Sequence, residues 1–341
     1  MSEEQKPRLS ILRDLRKHGP IWFVGLMAVV LINYEVTNVN RARYVETGLA
    51  LWKFALTAAI PVFWVLFYSY FRARDSQRLV HRWRVYGALA VFMIGAPLAI
   101  FLFGRPRPMT DAQIVFFYEA AQYLWLALMV AHCWYNRGFA MTVLFFGVCF
   151  LYGMALENAG IIIGFFGESQ YKLYLGLPGG LFLPAPLATQ VGWCIMFYVA
   201  ISLTEFFAGK LRGLNRSPLR LALFTSLSAV TLDLQIDPLA SLSGLWWKWN
   251  PALPAFWLGV PLLNFIAWFC AFMPFSWLYF RYRADERLTD WQRVRHMLLW
   301  TPWLLPMCML IGGPLMAIYE GGFDGPTYQI AQAFLRKMMP Y

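Results

Sequence analysis

The stretch Gly138-Phe-Ala-Met-Thr-Val-Leu-Phe-Phe-Gly-Val-Cys-Phe-Leu-Tyr-Gly-Met-Ala-Leu-Glu157-Asn-Ala-Gly-Ile-Ile-Ile-Gly164 carries a single charged side chain, Glu157. It is longer than the roughly 20 residues that a helix needs to cross a hydrocarbon core of about 30 Å. Such a run reads as a transmembrane helix. The whole chain agrees: 341 residues that are 60% hydrophobic and 14% charged, with mean hydropathy +0.51, have too little polar surface to cover a soluble domain.

Working outward, further apolar segments run over Ile21 to Leu31, Leu49 to Phe71, Gly87 to Gly104, Ile114 to Tyr135, Leu187 to Ala208, Leu221 to Ser241, Leu262 to Phe280 and Met297 to Tyr319. With the opening stretch they predict an all-α, polytopic transmembrane helix bundle of about nine spans. Lys and Arg gather in every second connection: the N-terminal tail, Arg72 to Arg84, the tight turn at Arg137, Lys210 to Arg220, and Arg281 to Arg295. By the positive-inside rule this predicts a cytoplasmic N-terminus. Three parts are expected: a basic tail with the first three spans over 1–104, a catalytic helix bundle over 105–322, and a short C-terminal tail over 323–341.

The net charge of +11 comes from short basic runs between apolar segments, the pattern of loops at a membrane surface, and so does not point to nucleic acid. Cys133, Cys149, Cys194, Cys270 and Cys308 lie inside apolar segments without paired spacing, which indicates neither a disulfide framework nor a zinc site. His18, His81 and His296 fall in basic stretches and leave only His132 near a span, which argues against bis-histidine haem and histidine-rich di-iron centres.

The polar groups inside spans are few and gather at one depth. Leu232 to Trp249 reads L-D-L-Q-I-D-P-L-A-S-L-S-G-L-W-W-K-W. It puts Asp233 and Asp237 four residues apart, on one face of a helix that continues to Pro238. Beyond Pro238, Gly244 opens a turn lined by Trp246, Trp247 and Trp249. At 1.5 Å per residue, Glu157 lies about 28 Å along its segment, and Asp233 and Asp237 about 18 and 24 Å along theirs, all near the same membrane face. Asn264 begins another helix at that face, as do Glu119, Gln122 and Gln190.

Ionisable groups within spans are costly and usually functional. Interfacial anchoring is the competing reading, above all for Glu119 and Gln190. Gly153, Gly160 and Gly164 share the Glu157 face, where they leave room beside the acid or serve close helix packing. The tryptophans read equally as an interfacial belt or as a substrate wall.

Tyr152-Gly153 with Glu157 and Gly160, then Asp233-Leu-Gln-Ile-Asp237-Pro238 running into Gly244-Leu-Trp246-Trp247-Lys-Trp249, then Gly259-Val260-Pro261-Leu-Leu-Asn264-Phe265-Ile-Ala-Trp268, resemble the carotenoid biosynthesis membrane-protein family. That family includes bisanhydrobacterioruberin hydratases and gamma-carotene 1',2'-hydratases. The similarity covers roughly residues 110 to 320. It implies a cofactor-independent hydro-lyase that adds water across the terminal 1',2' double bond of an acyclic carotenoid end group, giving a tertiary alcohol. The implied partners are a membrane-embedded carotenoid, water, the lipid bilayer and other enzymes of the pathway. The implied location is a multi-pass position in a bacterial or archaeal cytoplasmic membrane.

Hydrating an unactivated alkene needs a proton donor, a means of tolerating a tertiary carbocation, and one delivered water; it needs neither a metal nor a redox cofactor. Carboxyls in low dielectric, particularly paired ones, hold their protons at neutral pH as general acids must. The acid is assigned to Asp233 or Asp237, and the base to the other or to Glu157. Asn264 is assigned to hold the water, and Trp246, Trp249 and Trp268 to face the cation. Trp247, Tyr152, Gly153 and Gly160 complete the expected substrate-binding set.

Three rivals remain at this point. An intramembrane prenyltransferase would use Asp233-x-x-x-Asp237 to hold magnesium against a diphosphate, but the chain has no second aspartate-rich motif. A proton-coupled transporter would string its acids through the membrane, whereas these cluster at one depth. A lipid- or carotenoid-binding protein without chemistry would use the same aromatic walls.

Overall fold

The computed structural model describes residue 63 and residues 111–168, 184–242 and 246–339. The apolar segments expected before residue 105 lie outside these residues, as does the turn at Gly244. The described elements are α1 (Asp111–Arg137), α2 (Phe139–Val143), a π-helical turn (Leu144–Val148), α3 (Cys149–Ile163), β1 (Phe166–Glu168), α4 (Leu187–Ala208), α5 (Pro218–Leu242), β2 (Trp247–Trp249), β3 (Ala255–Trp257), β4 (Val260–Pro261), α6 (Leu262–Ala284), α7 (Asp290–Glu320) and α8 (Pro326–Met338).

Among the described residues, five stretches of helix are long and apolar enough to cross a membrane: Phe139–Ile163, Leu187–Ala208, Pro218–Pro238, Leu262–Ala284 and Asp290–Glu320. The expectation of about nine spans is therefore corrected to an all-α bundle with about five candidate membrane-spanning helices. Counting apolar runs treats every long run as a crossing, because hydropathy does not separate a helix facing lipid from one packed on protein. The segment Ile114 to Tyr135 lies in α1, where Asp111, Gln113, Glu119 and Gln122 punctuate the first half, and α1 is not among the five. The cytoplasmic N-terminus was drawn from the nine-span path and loses its footing with it.

Relations between neighbours stand independently of that count. Consecutive spans alternate in direction, so Arg137, the Lys210 to Arg220 connection and the Arg281 to Arg295 connection share one end of the bundle, the basic end. Glu157, Asp233, Asp237 and Asn264 lie toward the other, the acid end.

Gly138 makes the sharp break between α1 and α2 because its backbone sits at φ 83°, a region that only glycine enters freely. The turn places Arg137 inside the basic end. Its guanidinium pairs with Glu205 at 2.6 Å and donates to the Ser202 hydroxyl at 2.7 Å and the Tyr279 hydroxyl at 3.2 Å; Tyr279 in turn donates to Glu205 at 2.7 Å. One network of part-buried side chains thus ties α1, α4 and α6 together. At the same end Thr289 and Gln292 form a reciprocal capping box that starts α7.

The core is aromatic. Tyr152, Phe145, Phe197, Phe272 and Phe275 are fully buried where α3, α4 and α6 meet, and α6 packs most closely against α5 and α7. Two small antiparallel sheets cap the acid end. β1 pairs with β2 so that Phe166 faces Trp249 and Glu168 faces Trp247; β3 and β4 form a hairpin that turns through Leu258 and Gly259 at φ 49° and 90°.

Candidate functional site

α5 continues through Pro238, so the four-residue spacing does hold Asp233 and Asp237 on one face of an intact helix. A proline inside a helix removes one N–H and orphans the carbonyl four residues back, here that of Leu234. The Trp257 indole donates to that oxygen at 2.9 Å. The β3–β4 hairpin therefore supplies the donor that the proline removed, as helix breaks inside membranes demand. The same hairpin ends at Pro261, the N-cap of α6, and so sets Asn264 in the first turn of that helix.

Asn264 Nδ2 donates to Asp233 Oδ2 at 2.6 Å. The Asp237 carboxyl comes near both Asp233 and Asn264, and Glu157 is close to the pair. All four side chains are buried. The second oxygen of Asp233, Oδ1, is buried with no hydrogen-bond partner among the described residues.

Glu157 is positioned by a residue that sequence reasoning missed. The Trp193 indole on α4 donates to Glu157 Oε2 at 2.8 Å, and its ring stacks on Trp268 at 4.7 Å between centroids. Phe272 extends the stack beyond Trp268 at 5.7 Å and 10°. A tryptophan in the second turn of a span that starts at the acid end was the available signal.

The glycines make room for aromatic neighbours. A Cβ on Gly153 would approach the Trp193 Cβ to 2.6 Å, and one on Gly160 would run into the Phe166 ring. Gly164 is different: it ends α3 in the left-handed region at φ 97°.

A cavity of about 460 Å³ opens among these groups. Glu157, Asp237 and Asn264 give it one polar corner, while Trp193, Trp247, Trp249 and Trp268 line its apolar walls. That size and that pairing of apolar walls with a few convergent polar groups are typical of small-molecule sites.

The expected residues divide plainly. Glu157, Asp237, Asn264, Gly160, Trp247, Trp249 and Trp268 line the cavity, and Asp233 lies behind Asn264. Trp246 and Tyr152 are fully buried away from it; the Tyr152 hydroxyl donates to the Ala271 carbonyl at 3.0 Å, and its ring stacks on Phe275. Gly153 acts at one remove, through Trp193. Gln122 lines the cavity, whereas Glu119 and Gln190 are buried outside its lining. Among the described residues no three His, Cys, Asp or Glu side chains gather as a metal-holding group.

Residues 118–321 match a family model described as "Carotenoid biosynthesis protein". No curated protein and no solved structure matches the chain.

Proposed function

The chain belongs to the carotenoid biosynthesis protein family, and on that premise we propose that it is a carotenoid hydratase acting on an acyclic end group. The observation that carries this reading is the placement of two buried carboxyls, Glu157 and Asp237, at one corner of a mostly apolar cavity, with a third, Asp233, behind Asn264. A hydrocarbon end group fits the walls, and only its terminal double bond needs to meet the corner.

The reaction begins when the carboxyl of Asp233 or Asp237 gives its proton to the less substituted alkene carbon. The π pair forms the new C–H bond and leaves a tertiary cation and a carboxylate. The faces of Trp268 and Trp249 stabilise that cation through their ring quadrupoles. Water held by Asn264 then forms the C–O bond, and Glu157, oriented by Trp193, takes the proton that water releases. Passage of that proton back to the aspartate pair resets the site. One water is consumed, and no electrons enter or leave.

The test is pigment analysis of cells that make an acyclic carotenoid such as lycopene, with and without this protein. The reading expects a product heavier by one water, present with the parent chain and absent with Asp233→Asn or Asp237→Asn. A product that persists in the double variant removes the aspartates from the mechanism. No hydrated product from any acyclic substrate removes the hydratase.

A further inference from the structure

One wall of the cavity comes from outside the matched region. Thr327, Tyr328 and Ala331 of α8 line it from one helix face. The connection from α7 runs through Gly321 and Gly322 at φ 77° and 149° and doubles the chain back. Two side-chain bonds fix the return: Thr327 Oγ1 donates to Glu320 Oε1, and Tyr328 donates to the Gly313 carbonyl, each at 2.7 Å.

Two observations set the direction of α8. It starts beside Glu320, where the α7 span ends, and Ile330 lies against Gly164, where the α3 span ends. Both span ends belong to the acid end of the bundle, so a helix that joins them runs along the membrane surface. Its outer face is polar and exposed, through Gln329, Gln332 and Arg336. Its apolar face outlasts the protein beneath it, leaving Leu335, Met338 and the following Met339 about half exposed or more, next to the cations Arg336 and Lys337.

We infer that α8 is an interfacial helix seated in the headgroup region of an anionic bilayer leaflet, where it roofs the cavity. Leu335, Met338 and Met339 enter the acyl boundary, Gln329 and Gln332 face water, and Arg336 and Lys337 meet lipid phosphates. A substrate dissolved in the bilayer then reaches the cavity beneath α8 without leaving the apolar phase. The inference uses no part of the hydratase chemistry, and its test is independent of any product.

The experiment places nitroxide labels singly at Gln329→Cys, Gln332→Cys, Leu335→Cys and Met338→Cys in the full chain, reconstituted in phosphatidylcholine vesicles with and without phosphatidylglycerol. The labelled parent sets the background from its native cysteines, and the described five are all buried. Collisions with oxygen and with a water-soluble nickel chelate are measured at each site. The expected result is a several-fold higher oxygen-to-nickel ratio at 335 and 338 than at 329 and 332. Phosphatidylglycerol is expected to raise the ratio at 335 in this background and not with Arg336→Gln and Lys337→Gln added.

Equal nickel access at all four positions overturns the inference by placing α8 in water. Uniform oxygen preference overturns it by placing the helix inside the bilayer or the bundle. Depth at 335 that ignores the anionic lipid overturns the assignment of its partner.

Discussion

The hydrogen bond from Trp257 to the Leu234 carbonyl makes a quantitative claim about how the site-bearing helix tolerates its proline. Trp257→Phe keeps an aromatic ring at the end of β3 and deletes the indole donor that serves the orphaned carbonyl. Leaving a buried acceptor unsatisfied costs about 1–3 kcal/mol. The bond is part-buried, which places the cost toward the lower half of that range. Loss of indole packing adds to it, so the single variant alone is ambiguous.

Pro238→Ala resolves this. Alanine at 238 restores the backbone N–H that pairs with Leu234 within the helix, and Trp257→Phe in that background then loses only packing. The double-mutant cycle cancels the packing contribution and is expected to return a coupling of about 1–2 kcal/mol. That is a several-fold to roughly thirtyfold change in the ratio of folded to unfolded protein. Equilibrium unfolding in mixed micelles of mild detergent and dodecyl sulfate reads it directly. Additive effects, with coupling near zero, would refute the claim that the hairpin compensates the proline.

Three further expectations follow from the same geometry. Trp193→Phe retains a ring to stack on Trp268 but not the donor to Glu157; loss of a charge-assisted bond of about 1.5–3 kcal/mol corresponds to roughly ten- to a hundredfold lower turnover. Turnover at the parent's level, with the fold intact, would remove Trp193 as the positioning residue. Gly153→Ala forces its new methyl into the Trp193 side chain and is expected to destabilise by about 1–3 kcal/mol. Gly147→Ala, whose Cβ meets Val143 at an ordinary 3.7 Å, is expected to cost nothing by the same unfolding measurement; similar losses at both glycines would contradict the packing argument.

At the basic end, hydrogen bonds from Arg287 hold the Asp285 carboxyl at about 2, below its ordinary 3.8. A depressed carboxylate contributes stability that is complete above its unfolded value and fades as pH falls through its folded one. The difference in thermal midpoint between parent and Asp285→Asn should therefore shrink between about pH 4 and about pH 2. A difference that grows as pH falls has the wrong sign.

Much of the site was legible because it rests on local rules. A four-residue spacing on a helix brings Asp233 and Asp237 together whatever else the chain does, and Pro261 before an apolar run starts the helix that carries Asn264. What was not legible depends on contacts distant in sequence. Trp193 meets Glu157 from 36 residues away, and the Asn250 side chain reaches the Gly164 carbonyl across 86. Periodicity carries no information about such pairings.

The strand pairing of Phe166–Glu168 with Trp247–Trp249 belongs to the same class, and it sets Trp247 and Trp249 in the cavity wall. Trp246, one residue earlier, is buried elsewhere. The span count is a separate matter: an apolar run is needed for a crossing but does not by itself make one, and five of the expected runs meet the length and hydropathy of a span as helices among the described residues.

The account turns on water being added at the carboxyl corner. The most direct measurement gives the purified protein, in vesicles loaded with an acyclic carotenoid, water enriched in oxygen-18, and reads the product by mass spectrometry beside the Asp233→Asn and Asp237→Asn variants. One labelled oxygen in a tertiary alcohol, formed by the parent and lost in both variants, is the predicted result. An unlabelled product, or none while the carotenoid remains bound, would contradict the hydratase mechanism.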